Sequence, residues 1–106
     1  MLSIVKEVKD LLTYRIEGEY CTITGYEGEV PPILKIPESI SGAEVCSITD
    51  DAFKGCVALE RVCLPDTVKM LGHNVFRDCV NLKEINLDNV THFRTHVFDG
   101  TQVQFA

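Results

Sequence analysis

The stretch ITDDAFKGCVALERVCLPDTVKMLGHNVFRDCVNLKEINLDNV, residues 48–90, contains one pattern twice. AFKGC at 52–56 returns as VFRDC at 75–79, and once more beyond the stretch as VFDGT at 97–101. Phe53 to Phe76 is 23 residues, and Phe76 to Phe98 is 22. Ile48, Leu71 and Phe93 keep the same two steps, while Leu59, Val62 and Leu64 return 23 residues later as Leu82, Ile85 and Leu87. The one lost residue belongs to a turn, because LPDTV at 64–68 becomes LDNV at 87–90. A unit of this length cannot bury its own apolar face, so the recurring columns are satisfied only when copies stack.

Within a unit, LERVCLP (59–65) and LKEINLD (82–88) place Val62/Leu64 and Ile85/Leu87 at alternate positions, the mark of a short strand. Pro65-Asp66-Thr67 or Asp88-Asn89 then turns the chain, and Val68–Leu71 or Val90–Phe93 forms a second extended piece. The Phe of the recurring phrase is expected to plug the interior of each coil. Gly55 and Gly100 suit a tight exit turn, and Asp78 replaces them in the middle copy because Asp tolerates left-handed backbone. Stacked strands would repeat every ~4.8 Å.

Upstream, ILKIPESI (33–40) aligns with RVCLPDTV (61–68), and SGAEVCSI (41–48) carries five extra residues before the Ile48 column. TYRIEGEYCTITGYEG (13–28) reads as a hairpin about Glu17-Gly18-Glu19. Leu2, Val5, Val8 and Leu12 share one helical face, which predicts a short amphipathic helix or cap. The expected organisation is a cap over residues 1–12, an opening hairpin with a degenerate first repeat over 13–47, and repeats over 48–106 with the last incomplete. The fold class is mainly β, a short solenoid of coils 22–23 residues long with an N-terminal hairpin and helix cap.

The chain has 106 residues and a net charge of −6, consistent with one globular domain. From Ile16 to Asp51 eight acids face one base, Lys35. The ordinary meaning of such a run is a solvated face. No basic footprint exists to displace counterions from nucleic acid, and an anionic membrane surface is disfavoured for the same reason. No apolar run approaches the ~20 residues that membrane insertion needs. Charged residues interrupt MLSIVKEVKDLL, so it does not read as a secretory signal. The chain is therefore expected to be cytoplasmic if it is complete, and otherwise a piece of a longer protein. The five cysteines are an odd number, contain no CxxC pair and match no common zinc spacing, so they read as small buried hydrophobes.

The residues of 48–90, with YCTITGYEG and LKIPESISGAEVCSI before them, resemble the BspA-type leucine-rich repeats. Thr49 departs from the usual Gly of that pattern, and Val75 and Val97 from its usual Ala. The resemblance implies a β-rich solenoid. It also implies a non-catalytic cell-surface or secreted protein of a bacterium or protozoan, part of a longer chain, that adheres to other proteins.

Functional residues of a solenoid usually point outward from its sheet. Here those are Ile33 and Lys35, then Arg61 and Cys63, then Glu84 and Asn86, and in the last copy Gln104. The plain alternative is a solvated strand face. His73, His92 and His96 fall near one edge of adjacent coils with Asp78 and Asp99 nearby, more simply read as turn residues than as metal ligands. Asp50-Asp51 reads as a turn pair. Cys63 has no motif of a nucleophile around it, and Cys56 and Cys79 stack at a spacing compatible with a disulfide but are expected reduced and packed. No cofactor, metal or catalytic residue is indicated.

The expected function is a non-enzymatic module that binds a protein ligand, part of a longer array. The alternative is a cytosolic scaffold, complete as written, that self-associates through its open end, and a distant third is a redox or metal protein. The last copy stops at Val103-Gln104-Phe105-Ala106 in an expected strand with no charge after Asp99. An uncapped apolar strand is a template for another chain. Residues 93–106 are therefore expected either to continue into further repeats or to self-associate.

Overall fold

The computed structural model describes residues 8–105. One helical turn, α1 (Val8–Leu11), leads into the expected hairpin of β1 (Leu12–Glu17) and β2 (Tyr20–Tyr26), paired antiparallel around residues 18 and 19. Residues 2–7, most of the expected amphipathic helix, lie outside the described residues. Seven short strands follow: β3 (Ile33–Lys35), β4 (Ser39–Ile40), β5 (Ala43–Ile48), β6 (Arg61–Cys63), β7 (Met70–Leu71), β8 (Glu84–Ile85) and β9 (His92–Phe93).

The chain winds between two sheets as a solenoid of about three turns. The larger sheet runs β1-β2-β5-β7-β9 with β4 against β5, and the smaller runs β3-β6-β8. Pairing between coils is parallel, and its register is that of the sequence columns. Leu34, Val62 and Ile85 are partners in the smaller sheet, and Ile48, Leu71 and Phe93 in the larger. The five extra residues of the first repeat form the tight β4–β5 hairpin, with Ile40 opposite Ala43.

The interior is built from the recurring columns. Phe53 and Phe76 are fully buried, with ring centroids 5.8 Å apart and planes 6° from parallel. Phe98 continues the stack at 5.9 Å and 11°. These separations lie in the favourable range for aromatic pairs. Leu59 and Leu82, with Val68 and Leu71, complete the core around them.

The phrase that recurs in sequence is also a hydrogen-bonding corner. Asp51, Phe53 and Gly55 donate their amides to the carbonyls of His73, Val75 and Arg77 on the next coil, and Asn74, Phe76 and Asp78 donate to Thr95, Val97 and Asp99. These turns thus form a third ladder of alternate residues. Left-handed backbone makes it possible. Gly55, Asp78 and Gly100 take φ of 74°, 63° and 79° at the exit, as the replacement of glycine by Asp requires. A second left-handed column, Asp51, Asn74 and His96 at 62°, 59° and 59°, was not expected.

The C-terminal segment departs from expectation. Residues 102–105 form no strand. The step from Thr101 to the next core residue, Val103, is two, where Cys56 to Leu59 and Cys79 to Leu82 take three. The chain thus falls out of register with β8. Gln102 still donates its amide to Leu82 at 2.8 Å, and the Phe105 ring then packs on Phe98 at 5.4 Å. Self-association through residues 93–106 loses the terminal strand it assumed. What is exposed there is the pair of rings of Phe93 and Phe105, 47% and 64% accessible.

Candidate functional site

On β3, β6 and β8 the middle column, Leu34, Val62 and Ile85, faces the core, so the flanking residues face out. Register alone therefore aligns Ile33, Arg61 and Glu84 in one outward row, with Lys35 beside Cys63 in the next. Ile33 is 57% exposed, an apolar side chain on the edge strand β3. Arg61 Nη2 and Glu84 Oε2 are 2.8 Å apart, with more than a third of each side chain in water. Such a pair contributes little to stability, roughly 0–1 kcal/mol, but it fixes two charges in place. A shallow cleft lined by Arg61, Cys63, Glu84 and Asn86 runs between β6 and β8.

Asn86 has a second engagement. Its Oδ1 accepts the Leu64 amide and its Nδ2 donates to the Leu64 carbonyl, both at 2.8 Å. The side chain thereby continues the ladder where β8, two residues long, has ended. Asn86 is a strand clip as well as a surface residue. Gln104 is a correction: it lies beyond the last strand and makes no fourth row, because the shortened step precedes it. The structure thus brings together Ile33, Lys35, Arg61, Cys63, Glu84 and Asn86, and leaves Gln104 out.

The histidines do not converge. His96 Nδ1 meets Asp99 Oδ2 at 2.6 Å, His73 Nδ1 meets Thr95 Oγ1 at 2.8 Å, and His92 Nδ1 meets Thr91 Oγ1 at 2.9 Å. Among the described residues no three His, Cys, Asp or Glu side chains are placed to hold a metal ion. Asp50 accepts the His73 amide at 2.7 Å across the coil gap, which makes it a turn-stabilising group between coils.

The outer face of the larger sheet was not singled out from sequence. Arg15, Thr22, Ser47, Met70, His73 and Arg94 line a groove there, with Thr22 and Ser47 hydroxyls bonded at 2.9 Å. The alternation of buried Cys21 and Ile23 with Thr22 was the available signal.

Residues 34–105 match the family described as BspA type leucine rich repeat region. No curated protein matches the chain. Among solved structures, a T. pallidum leucine rich repeat protein is similar at TM-score 0.80 and 33% identity, over 85% of this chain and 43% of that one. A leucine rich cell surface protein of Faecalibacterium prausnitzii A2-165 is similar at 0.68 and 23%, over 93% and 32%. A leucine-rich repeat protein of Bacteroides capillosus is similar at 0.71 and 19%, over 95% and 94%. The chain spans less than half the length of the first two.

Proposed function

The chain belongs to the BspA-type leucine-rich-repeat family, and from that premise we propose that it is a protein-binding module of adhesive type whose contact surface is the outer face of β3, β6 and β8. The observation that carries this reading is the outward row Ile33, Arg61, Glu84. It sets an exposed apolar side chain beside a fixed guanidinium and carboxylate, on neighbouring strands ~4.8 Å apart. Arginine flanked by apolar contact is a frequent anchor of protein interfaces. A cell-surface setting is part of the same proposal.

The test is capture from extracellular and cytosolic protein pools by the native chain and by a variant carrying Ile33→Asp, Arg61→Glu and Glu84→Lys. The two charge changes reverse the ion pair while keeping it, and all three sites are exposed. The melt should therefore stay close to that of the native chain, since such substitutions usually cost within about 0.5 kcal/mol each. The native chain should take up an extracellular protein that the variant does not. Equal capture by both would move the contact surface elsewhere, and capture from the cytosolic pool alone would favour the scaffold reading.

A further inference from the structure

Cys56 and Cys79 occupy one column, 23 residues apart, in the corner that the turn ladder holds together. Phe53 donates to Val75 at 3.0 Å and Gly55 to Arg77 at 2.8 Å, so the two turns are in contact on the N-terminal side of both thiols. The Cys79 thiol donates to the Phe53 carbonyl at 3.0 Å, which turns it toward the coil that carries Cys56. Neighbouring coils lie ~4.8 Å apart, inside the roughly 4.4–6.8 Å between α-carbons that a disulfide accepts. Cys79 is fully buried, whereas Cys56 is half-buried and lines a surface cleft with Glu29, Val30 and Val57. The column ends at Thr101, whose hydroxyl bonds the Phe98 carbonyl at 2.7 Å, so the pair is confined to two coils. The other cysteines are arranged differently. Cys46 aims its thiol at the Cys21 carbonyl at 3.6 Å, and Cys63 stands on the sheet face.

We propose that Cys56 and Cys79 form a redox-closable clamp between two coils, oxidised to a disulfide by a small-molecule disulfide such as oxidised glutathione. The two sulfurs have different parts. The neighbouring Cys79 thiol holds the Cys56 thiol below the usual range against the opposing effect of burial. The neighbouring Cys56, and then burial, push the Cys79 thiol up. Cys56 is thus the attacking sulfur. Its thiolate attacks one sulfur of the small disulfide, forms a mixed disulfide and expels one small thiolate, which takes up the proton Cys56 has lost. With Cys56 no longer a thiolate, its upward push on Cys79 is gone, while the Phe53 carbonyl still holds the Cys79 sulfur against the Cys56 coil. Cys79 then attacks the Cys56 sulfur, the second small thiolate leaves, and it receives the Cys79 proton. Two electrons pass from the protein to the small disulfide, and two small thiols are released. The sheet face is not touched, so the clamp would stiffen the array without covering the surface that binds.

The native chain incubated with oxidised glutathione and mapped by peptide mass without reduction should show one cross-link, Cys56 to Cys79, with two hydrogens lost. Closing a loop of this length should raise the melting temperature by about 5 °C or more, reversibly on reduction. The Cys79→Ser variant should instead accumulate glutathione on Cys56, and Cys56→Ser should form no cross-link. The proposal is overturned if the native chain keeps glutathione on Cys56 unresolved, links another pair, or reacts only after unfolding. Should Cys79→Ser fail to fold, the peptide map of the native chain decides by itself.

Discussion

Gly72 shows how close the coils come. A β-carbon there would lie 2.5 Å from Asp50 Oδ1 and 2.6 Å from the Asp50 amide nitrogen, contacts that real side chains do not make. The same carboxylate accepts the His73 amide, so it cannot swing aside without losing that bond. Gly72→Ala is therefore expected to destabilise the fold by about 1–3 kcal/mol, the usual cost of overpacking. The measurement is the urea midpoint, which should fall with an unchanged slope; an unchanged midpoint would mean that the coils have room to part here. Neither this requirement nor the Asn86 clip was legible in the sequence. Gly72 looks like any turn glycine, and Asn86 like any outward residue, until the neighbouring coil is in place. Asp78 was legible, because a glycine column with one Asp has a direct conformational meaning.

Each coil is held by its phenylalanine. Phe76 lies between Phe53 and Phe98, stacked on both, and no part of it reaches water. Phe76→Ala should cost about 3–5 kcal/mol, since neighbours pinned by ladders on both sides cannot collapse into the space. Phe98→Ala should cost less, because its ring is only partly buried. Thermal or urea melts of the two variants compare them, and equal losses would contradict the stacked arrangement. The strands were readable as columns, since apolar residues at a constant step name both the element and its partner, as Ile48, Leu71 and Phe93 do. The turn ladder through 51–55, 73–78 and 95–99 was not readable. Four of its six donors, Asp51, Gly55, Asn74 and Asp78, are left-handed residues, which carry no alternation of apolar side chains. The misread strand near Gln104 has the opposite cause: apolar letters were present, but the two-residue step after Thr101 removed the register that gives them meaning.

At the scale of the whole molecule the coils make two outward sheet faces and a stacked interior. The smaller sheet presents Ile33, Arg61 and Glu84, and the larger presents the groove about Ser47 and Met70. The candidate face was legible because alternation separates inward Val62 from outward Arg61 and Cys63. The opposite groove was marked only by Thr22 between buried Cys21 and Ile23, because β7 and β9 are two residues long and show no alternation to read. The central claim is that the smaller face meets the partner. Hydrogen–deuterium exchange of the native chain, alone and with the protein it captures, tests that claim most directly. Added protection is predicted over residues 33–35, 61–63 and 84–86, with the groove residues 70–73 and 92–94 exchanging as in the free chain. Protection at the groove, and none along those three strands, would contradict it.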